Sequence, residues 1–165
     1  MRGRWWRLSG AALATLQDVS AGRAFCGLGV GAGLEPFGID YPRPVRALRE
    51  SVTAIRELLA GQRVTRRGDT ASFDDAALLR PPQWPVPIAI GTRSPQVMRL
   101  AGELADVALV GARCLTPALA ADYRGWLAEG ALRAGRDPAA IQILPRVTLC
   151  VSRDERRALD SVKRY

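Results

Sequence analysis

The sequence predicts an α/β fold, a parallel sheet of about four βα units carrying a small inserted hairpin. Three observations predict it. Four short apolar runs, Ala24–Gly31, Val86–Gly91, Val107–Gly111 and Ile141–Val151, each reach a glycine, proline or serine and then give way to a helix-patterned stretch. Strand, loop and helix alternate along most of the chain, which is the pattern of βαβ units with functional loops at the carboxyl ends of the strands. The runs number about half of what a closed eight-stranded barrel requires.

Each element has its own warrant. Ser9 to Ser20 has helical spacing, with Leu13, Leu16 and Val19 on one side and Gly22 as its stop. In the first strand the glycines of Ala24–Gly31 admit another backbone or a ligand at close range. Gly33 to Pro44 reads as a loop. A helix from about Arg43 carries the stripe Val45, Leu48, Val52, Ile55, Leu58 and Leu59 and ends at Gly61. Within Arg63–Leu79 the alternation breaks: Val64-Thr65 and Ala71-Ser72-Phe73 flank a Gly68-Asp69 turn, which predicts the hairpin. Pro81 to Pro87 is a stiff lead-in to the strand Ile88-Ala89-Ile90. Ser94-Pro95 then supplies an N-cap and a first-turn proline for a helix with Val97, Leu100, Ala101 and Leu104 on its buried side. Asp106 opens the strand Val107–Val110. Thr116-Pro117 repeats the cap and proline ahead of a helix running to about Ala134, and Asp137-Pro138 turns into Ile141–Val151. Ser152-x-x-Glu155 is a capping box for a last helix.

Composition removes several function classes. The 165 residues are 48% hydrophobic, enough for one domain with a core, and carry a formal charge of +8. Of the 24 basic residues only Lys163 is lysine. The arginines are spread from Arg2 to Arg164, mostly on outer helix faces, without a stacked-aromatic or glycine-rich RNA signature, so no nucleic-acid partner is expected. The absence of histidine excludes Ser-His-Asp chemistry and the usual zinc sites. Cys26, Cys114 and Cys150 lack metal-ligand spacing, and no metal site is expected. Cys26 and Cys150 fall in strand patterns and read as small buried apolar residues, whereas Cys114 follows a strand end without a histidine to activate it. No apolar run approaches the ~20 residues that span a bilayer. The basic start Met1–Arg7 leads only into the short stretch Ala11–Leu16, a poor signal peptide, so the chain is expected to be cytoplasmic and to have no membrane partner.

Two strand ends are candidate sites. Gly27-x-Gly29-x-x-Ala32 loosely matches a dinucleotide fingerprint, but Glu35-Pro36 and Pro42 postpone the next helix, so the Rossmann reading fails. Gly29 and Gly31 remain either a place where a flat ligand meets backbone or simply a tightly packed strand end. In Gly91-Thr92-Arg93-Ser94-Pro95 a strand end, a hydroxyl, a guanidinium and a helix N-terminus converge where anions are favoured, which makes the loop a candidate phosphate site. Gly111 to Thr116 is a weaker version of it. Glu35 and Asp40, on the long loop after the first strand, are the weak candidates for proton handling or ligand hydroxyls, with solvated loop carboxylates as the plainer reading. Asp106 begins a strand and therefore belongs to the stability face.

Located in this way, the residues carry a family likeness. Thr15-Leu16-x-x-Val19-Ser20-x-Gly22-Arg23 leads into Gly27-Leu-Gly-Val-Gly31, then Glu35-Pro-Phe-Gly-Ile39 and Pro44-Val-x-x-Leu-Arg-Glu50. Pro87-Ile88, Arg99-Leu-Ala-Gly-Glu-x-Ala-Asp106 and Ala134-Gly-Arg-Asp-Pro138 follow in order. From about Ser9 to Lys163 the chain resembles the luciferase-like flavin- or deazaflavin-dependent oxidoreductases, closest to the methylenetetrahydromethanopterin reductase type. The resemblance implies a partial TIM (β/α)8 barrel over residues 9–165 with its insert at about 63–79, and residues 1–8 resemble nothing in the family. It also implies coenzyme F420 (a deazaflavin) or FMN at the strands' carboxyl ends, its phosphate at the loop that Gly91-Thr92 matches and its ring near Gly31–Glu35. A small organic substrate would exchange hydride with the coenzyme. Family members carry three further strands before this stretch and another strand and helix after it, so the chain is expected to be an internal fragment. As such it is expected to be catalytically crippled alone, and either to pair with itself or with a complementary half-barrel through its open edges or to be a remnant. The rival readings are a non-catalytic coenzyme-binding or assembly module and, further off, a basic nucleic-acid binder.

Overall fold

Strands that bury a row of Ile, Val and Ala on one face need helices to cover that face, and the chain supplies three that pack there. In the computed structural model, which describes residues 5–31, 43–70, 72–111, 115–147 and 149–163, the order runs α1 (Trp5–Val19), β1 (Cys26–Gly29), α2 (Pro44–Leu59), β2 (Val64–Arg67), β3 (Ser72–Ala76), β4 (Ile88–Thr92) and α3 (Pro95–Leu104). It continues with β5 (Val107–Val110), α4 (Pro117–Arg133), a 3-10 turn (Pro138–Ala140), β6 (Gln142–Pro145) and α5 (Glu155–Lys163). Strands β1, β4, β5 and β6 form one sheet in that order, every pair parallel. This is the predicted arc. β2 and β3 form a separate antiparallel hairpin, also as predicted.

Register assigns the faces. The row Leu28, Ile90, Ala108 and Ile143, flanked by Cys26, Ile88 and Val110, points toward the helices. It packs on Leu48, Val52 and Ile55 of α2, Val97, Met98 and Leu100 of α3, and Tyr123 and Leu127 of α4. The rows Gly27–Ala89–Val107–Gln142 and Gly29–Gly91–Leu109–Leu144 point the other way, and a hollow of about 410 Å³ lies along that open face. The hairpin packs Val64, Phe73 and Ala76 against Ala54 and Leu58 of α2.

Two devices hold the helices to the sheet. Asp106, at the start of β5, accepts the Ile88 amide at 2.8 Å and the Arg56 guanidinium at 3.0 Å, which in turn donates to the Leu104 carbonyl at 2.7 Å. A carboxylate that closes an exposed backbone donor and meets a cation belongs at the strands' amino ends, where a stabilising role was expected. Between α3 and α4, Gly102 and Gly130 let the backbones touch. A Cβ at Gly102 would sit 2.1 Å from the Leu127 carbonyl oxygen, and one at Gly130 would sit 1.9 Å from that of Arg99.

Several local expectations need correction. The run Ile141–Val151 forms strand only over Gln142–Pro145, because β5 offers four residues to pair with and β6 reaches a proline there. Cys150 consequently lies outside any strand and is half-buried rather than buried. α5 is capped by Asp154, whose carboxylate accepts the Arg157 amide at 3.2 Å, while Ser152 Oγ accepts the Asp154 amide in a turn outside the helix. The first helix begins at Trp5, four residues before its expected start. Of its expected apolar stripe, Leu16 is 55% and Val19 80% exposed, and the position that is fully buried is Gln17. Gln17 donates to the Pro85 carbonyl, and its Oε1 accepts the Ala24 amide at 2.8 Å, tying α1 to both strand lead-ins.

Candidate functional site

The site grows out of the carboxyl end of β4. Gly29 of β1 and Gly91 of β4 are register partners on the open face, so two neighbouring positions at this rim carry no side chain. A Cβ at Gly29 would meet the Gly91 carbonyl oxygen at 3.4 Å, and one at Gly91 would meet the Leu28 carbonyl oxygen at 3.7 Å and the Leu109 side chain at 3.9 Å, so the strip is backbone with Leu109 at its border. Gly31 follows β1 at a φ of +75°, a left-handed conformation that glycine alone adopts without strain. The predicted glycines thus stand on one rim, next to the predicted phosphate loop.

Thr92 ends β4 buried. Its Oγ1 accepts the Ser94 amide at 2.9 Å, and its carbonyl accepts the Gly111 amide at 3.1 Å. The first bond folds the loop back, and the second ties it to the end of β5. Ser94 occupies the N-cap position with extended backbone, but its side chain makes no capping bond. This corrects the expectation that Ser94 caps α3: its hydroxyl accepts neither first-turn amide, and it is the Ser94 backbone amide, held by Thr92, that fixes the loop ahead of Pro95. Met98 donates to the Ser94 carbonyl at 2.9 Å, so the Gln96 and Val97 amides are the first-turn donors that the helix itself does not use. Uncapped amides at a helix N-terminus favour an anion.

Arg93 adds a cation. It is exposed, and no acidic partner appears for it among the described residues. Its stem passes where a Cβ on Gly111 would lie, 3.4 Å from Cγ, so the missing side chain at Gly111 leaves room for it. Sequence reasoning named the loop but missed the role of Thr92 as its internal clasp; a threonine two residues before an N-cap position is the signal that could have revealed it.

The other candidates fall elsewhere. Glu35, Asp40 and Cys114 lie outside the described residues. Thr116 caps α4 by accepting the Leu119 amide at 3.2 Å, so the second loop differs from the first in having its cap filled. Cys26 is buried beneath α2, and burial pushes its thiol pKa up, which disfavours the thiolate. No cluster of three potential metal ligands occurs among the described residues. None of their helices is long and apolar enough to cross a membrane.

Comparison with known proteins places this arrangement. The family described as Luciferase-like monooxygenase matches residues 5–165. A 5,10-methylenetetrahydromethanopterin reductase from Methanolobus tindarius is 33% identical over 153 residues, covering 92% of this chain and 46% of the relative. An F420-dependent glucose-6-phosphate dehydrogenase from Nakamurella multipartita is 34% identical over 158 residues, covering 92% and 46%. The solved coenzyme F420-dependent tetrahydromethanopterin reductase of Methanopyrus kandleri superposes with a TM-score of 0.81 at 25% identity, over 97% of this chain and 51% of that one. The chain spans about half the length of the relatives it matches.

Proposed function

Because this chain belongs to the luciferase-like monooxygenase family, we propose that it supplies the coenzyme-phosphate rim of a deazaflavin-dependent oxidoreductase acting on a small organic substrate. The observation that carries the reading is the uncapped start of α3, with Thr92 clasping the loop and the exposed Arg93, without an acidic partner among the described residues, beside it, opening onto the Gly29–Gly91 strip. Amide donors and a guanidinium suit a phosphate, and a strip of backbone without side chains suits a planar ring, so the residues present fit coenzyme F420. Bound there, the deazaflavin would supply the hydride-carrying ring.

The chain's own residues position and neutralise. Thr92 holds the loop shape, Arg93 and the Gln96 and Val97 amides meet the phosphate, and Gly29, Gly31 and Gly91 let a ring lie against backbone. Glu35 and Asp40, outside the described residues, remain the candidate carboxylates for proton handling or for ligand hydroxyls. FMN shares the phosphate and the flat ring and is the alternative coenzyme; the F420-dependent relatives favour the deazaflavin.

A second reading has its own support. The open face of the sheet is exposed along Gly27, Gly29, Leu109 and Leu144, and hydride transfer benefits from excluding water. The lone chain would then bind coenzyme without turning over substrate. Titration with oxidised F420, followed by its fluorescence, tests the binding claim, and Arg93→Ala should weaken binding by about tenfold or more through loss of one charge-assisted contact. Binding that is absent, or that survives a Thr92→Val/Arg93→Ala double change unaltered, overturns the site. Substrate-dependent oxidation of reduced F420 by the lone chain would exclude the second reading.

A further inference from the structure

Three separate features of the sheet's edges point to the same kind of neighbour. Cys26 donates to the Pro87 carbonyl at 2.8 Å, so in β1 the alternate residues Gly27 and Gly29 turn their N–H and C=O groups to the outer edge. In β6, Gln142 donates to the Asp106 carbonyl at 3.1 Å and Arg146 to that of Val110 at 2.9 Å, so Ile143 and Pro145 face outward. Among the described residues no strand pairs with either outer edge, so both ends of the four-stranded arc are open parallel edges running in one direction.

The edges differ in side-chain bulk in a complementary way. On the open face β1 presents only Gly27 and Gly29, whereas β6 presents Gln142 and Leu144. On the helix side a groove of about 320 Å³ lies beside β1, lined by Leu13, Leu16, Cys26, Leu28 and Ile55. Ile143 of β6 projects in the same layer as Leu28, from the opposite edge. One edge is hollow where the other is full.

Residues patterned for burial are left uncovered on these edges and nearby. Leu16 and Val19 extend along α1, and Val147, Leu149 and Val151 alternate beyond β6, each of these three at least 79% exposed. Apolar surface of this extent beside a sheet whose other strands are covered by α2, α3 and α4 marks an association site.

We propose that two copies of this chain close on one another about a twofold axis along the strands, β1 of each against β6 of the other. Such an axis keeps all strands parallel, joins every open edge in a closed assembly and yields the eight-stranded barrel whose interior side chains just fill. Ile143 of one copy enters the groove beside β1 of the other, and Gln142 and Leu144 stand beside its glycine column, leaving the Gly29–Gly91 strip open to the barrel interior. Pro145 removes one ladder donor from the seam but leaves none orphaned. The rim beyond Gly29 is then walled by the second copy. The assembly does not depend on whether that rim holds a coenzyme.

Light scattering on the eluting full chain across a concentration series tests this. The expected mass is twice the 17.8 kDa of one chain. Gly27→Pro removes only an outward N–H, so the internal ladder and the circular dichroism should persist while dimerisation weakens at least tenfold. Leu144→Asp, on the other edge and already exposed, should do the same without touching the core. Mixing the two variants restores dimer, because one of the two seams in the mixed pair joins an unaltered β1 to an unaltered β6. A wild-type chain that is monomeric at every concentration, or that associates only when the remaining half of a relative's barrel is supplied, overturns the proposal. So does a dimer indifferent to both substitutions, or a mixture that gains nothing.

Discussion

On the helix-covered face of the sheet, Ile88, Ile90 and Val110 are enclosed by α2, α3 and α4, while on the other face the same strands show Gly27, Gly29, Leu109 and Leu144 to solvent. Backbone and strand order are identical for both faces. The covered face is closed by helices from the same chain, each delivered by the connection that follows its strand, so local sequence suffices to finish it. The open face needs partners that these residues do not contain. Burial is thus complete over β4 and β5, where α3 and α4 follow and pack, and is missing on the open face and over β6, whose following helix α5 buries no residue.

The sharpest way to break the covered face is to part α3 from α4. Gly130→Ala places a methyl 1.9 Å from the Arg99 carbonyl oxygen, which forces the helices apart. The expected cost is roughly 3 kcal/mol or more, read from urea unfolding. Truncation in the core comes next. Ile90→Ala, at a fully buried position, should cost about 3 kcal/mol. Leu144→Ala on the open face, 47% exposed, should cost less than about 0.5 kcal/mol at concentrations low enough to hold the chain monomeric. Equal losses at the two positions would erase the distinction between the faces.

The smallest effect is electrostatic. The hydrogen bond from Arg99 holds the Glu129 carboxyl below its usual range, with the Arg133 charge adding to it against a smaller opposing effect of burial. A folded-state pKa lower than the unfolded one gives stability that is present above the ordinary carboxylate range and fades as pH falls through the lowered value. Glu129→Gln should flatten that part of an acid melting curve. Because both half-buried partners keep contact with water, which screens the pair, the change near neutral pH should be small.

Much of this was readable from residue order. The stripe Leu48, Val52, Ile55 and Leu58 is buried in α2 as its helical spacing demands. Gly22, Gly61 and Gly135 sit at helix ends with φ of +83°, +78° and +67°. The hairpin turned where Gly68-Asp69 stood. What could not be read depends on distant chain. Spacing marks Leu16 and Val19 as inward, but whether anything covers them is decided outside α1. Gln17 is buried because Ala24 and Pro85 come to meet it, and no local pattern announces that. The run 141–151 alternates as a strand should, yet pairing ends with β5. In the site, glycines and loop chemistry were visible in advance, whereas the clasp of Thr92 on the Ser94 amide, with the Ser94 side chain capping nothing, depends on a backbone path that the residue types alone do not dictate.

The contact of Gly102 and Gly130 reaches beyond stability. With carbonyl oxygens pressed against bare α-carbons, neither helix can slide or rotate on the other, so α3 and α4 travel as a single girder. The turns entering them, from Thr92 and toward Thr116, are bolted to the same beam. Amide hydrogen exchange along both helices should therefore slow or quicken together, and whatever grips one turn would stiffen the other at no added expense in freedom.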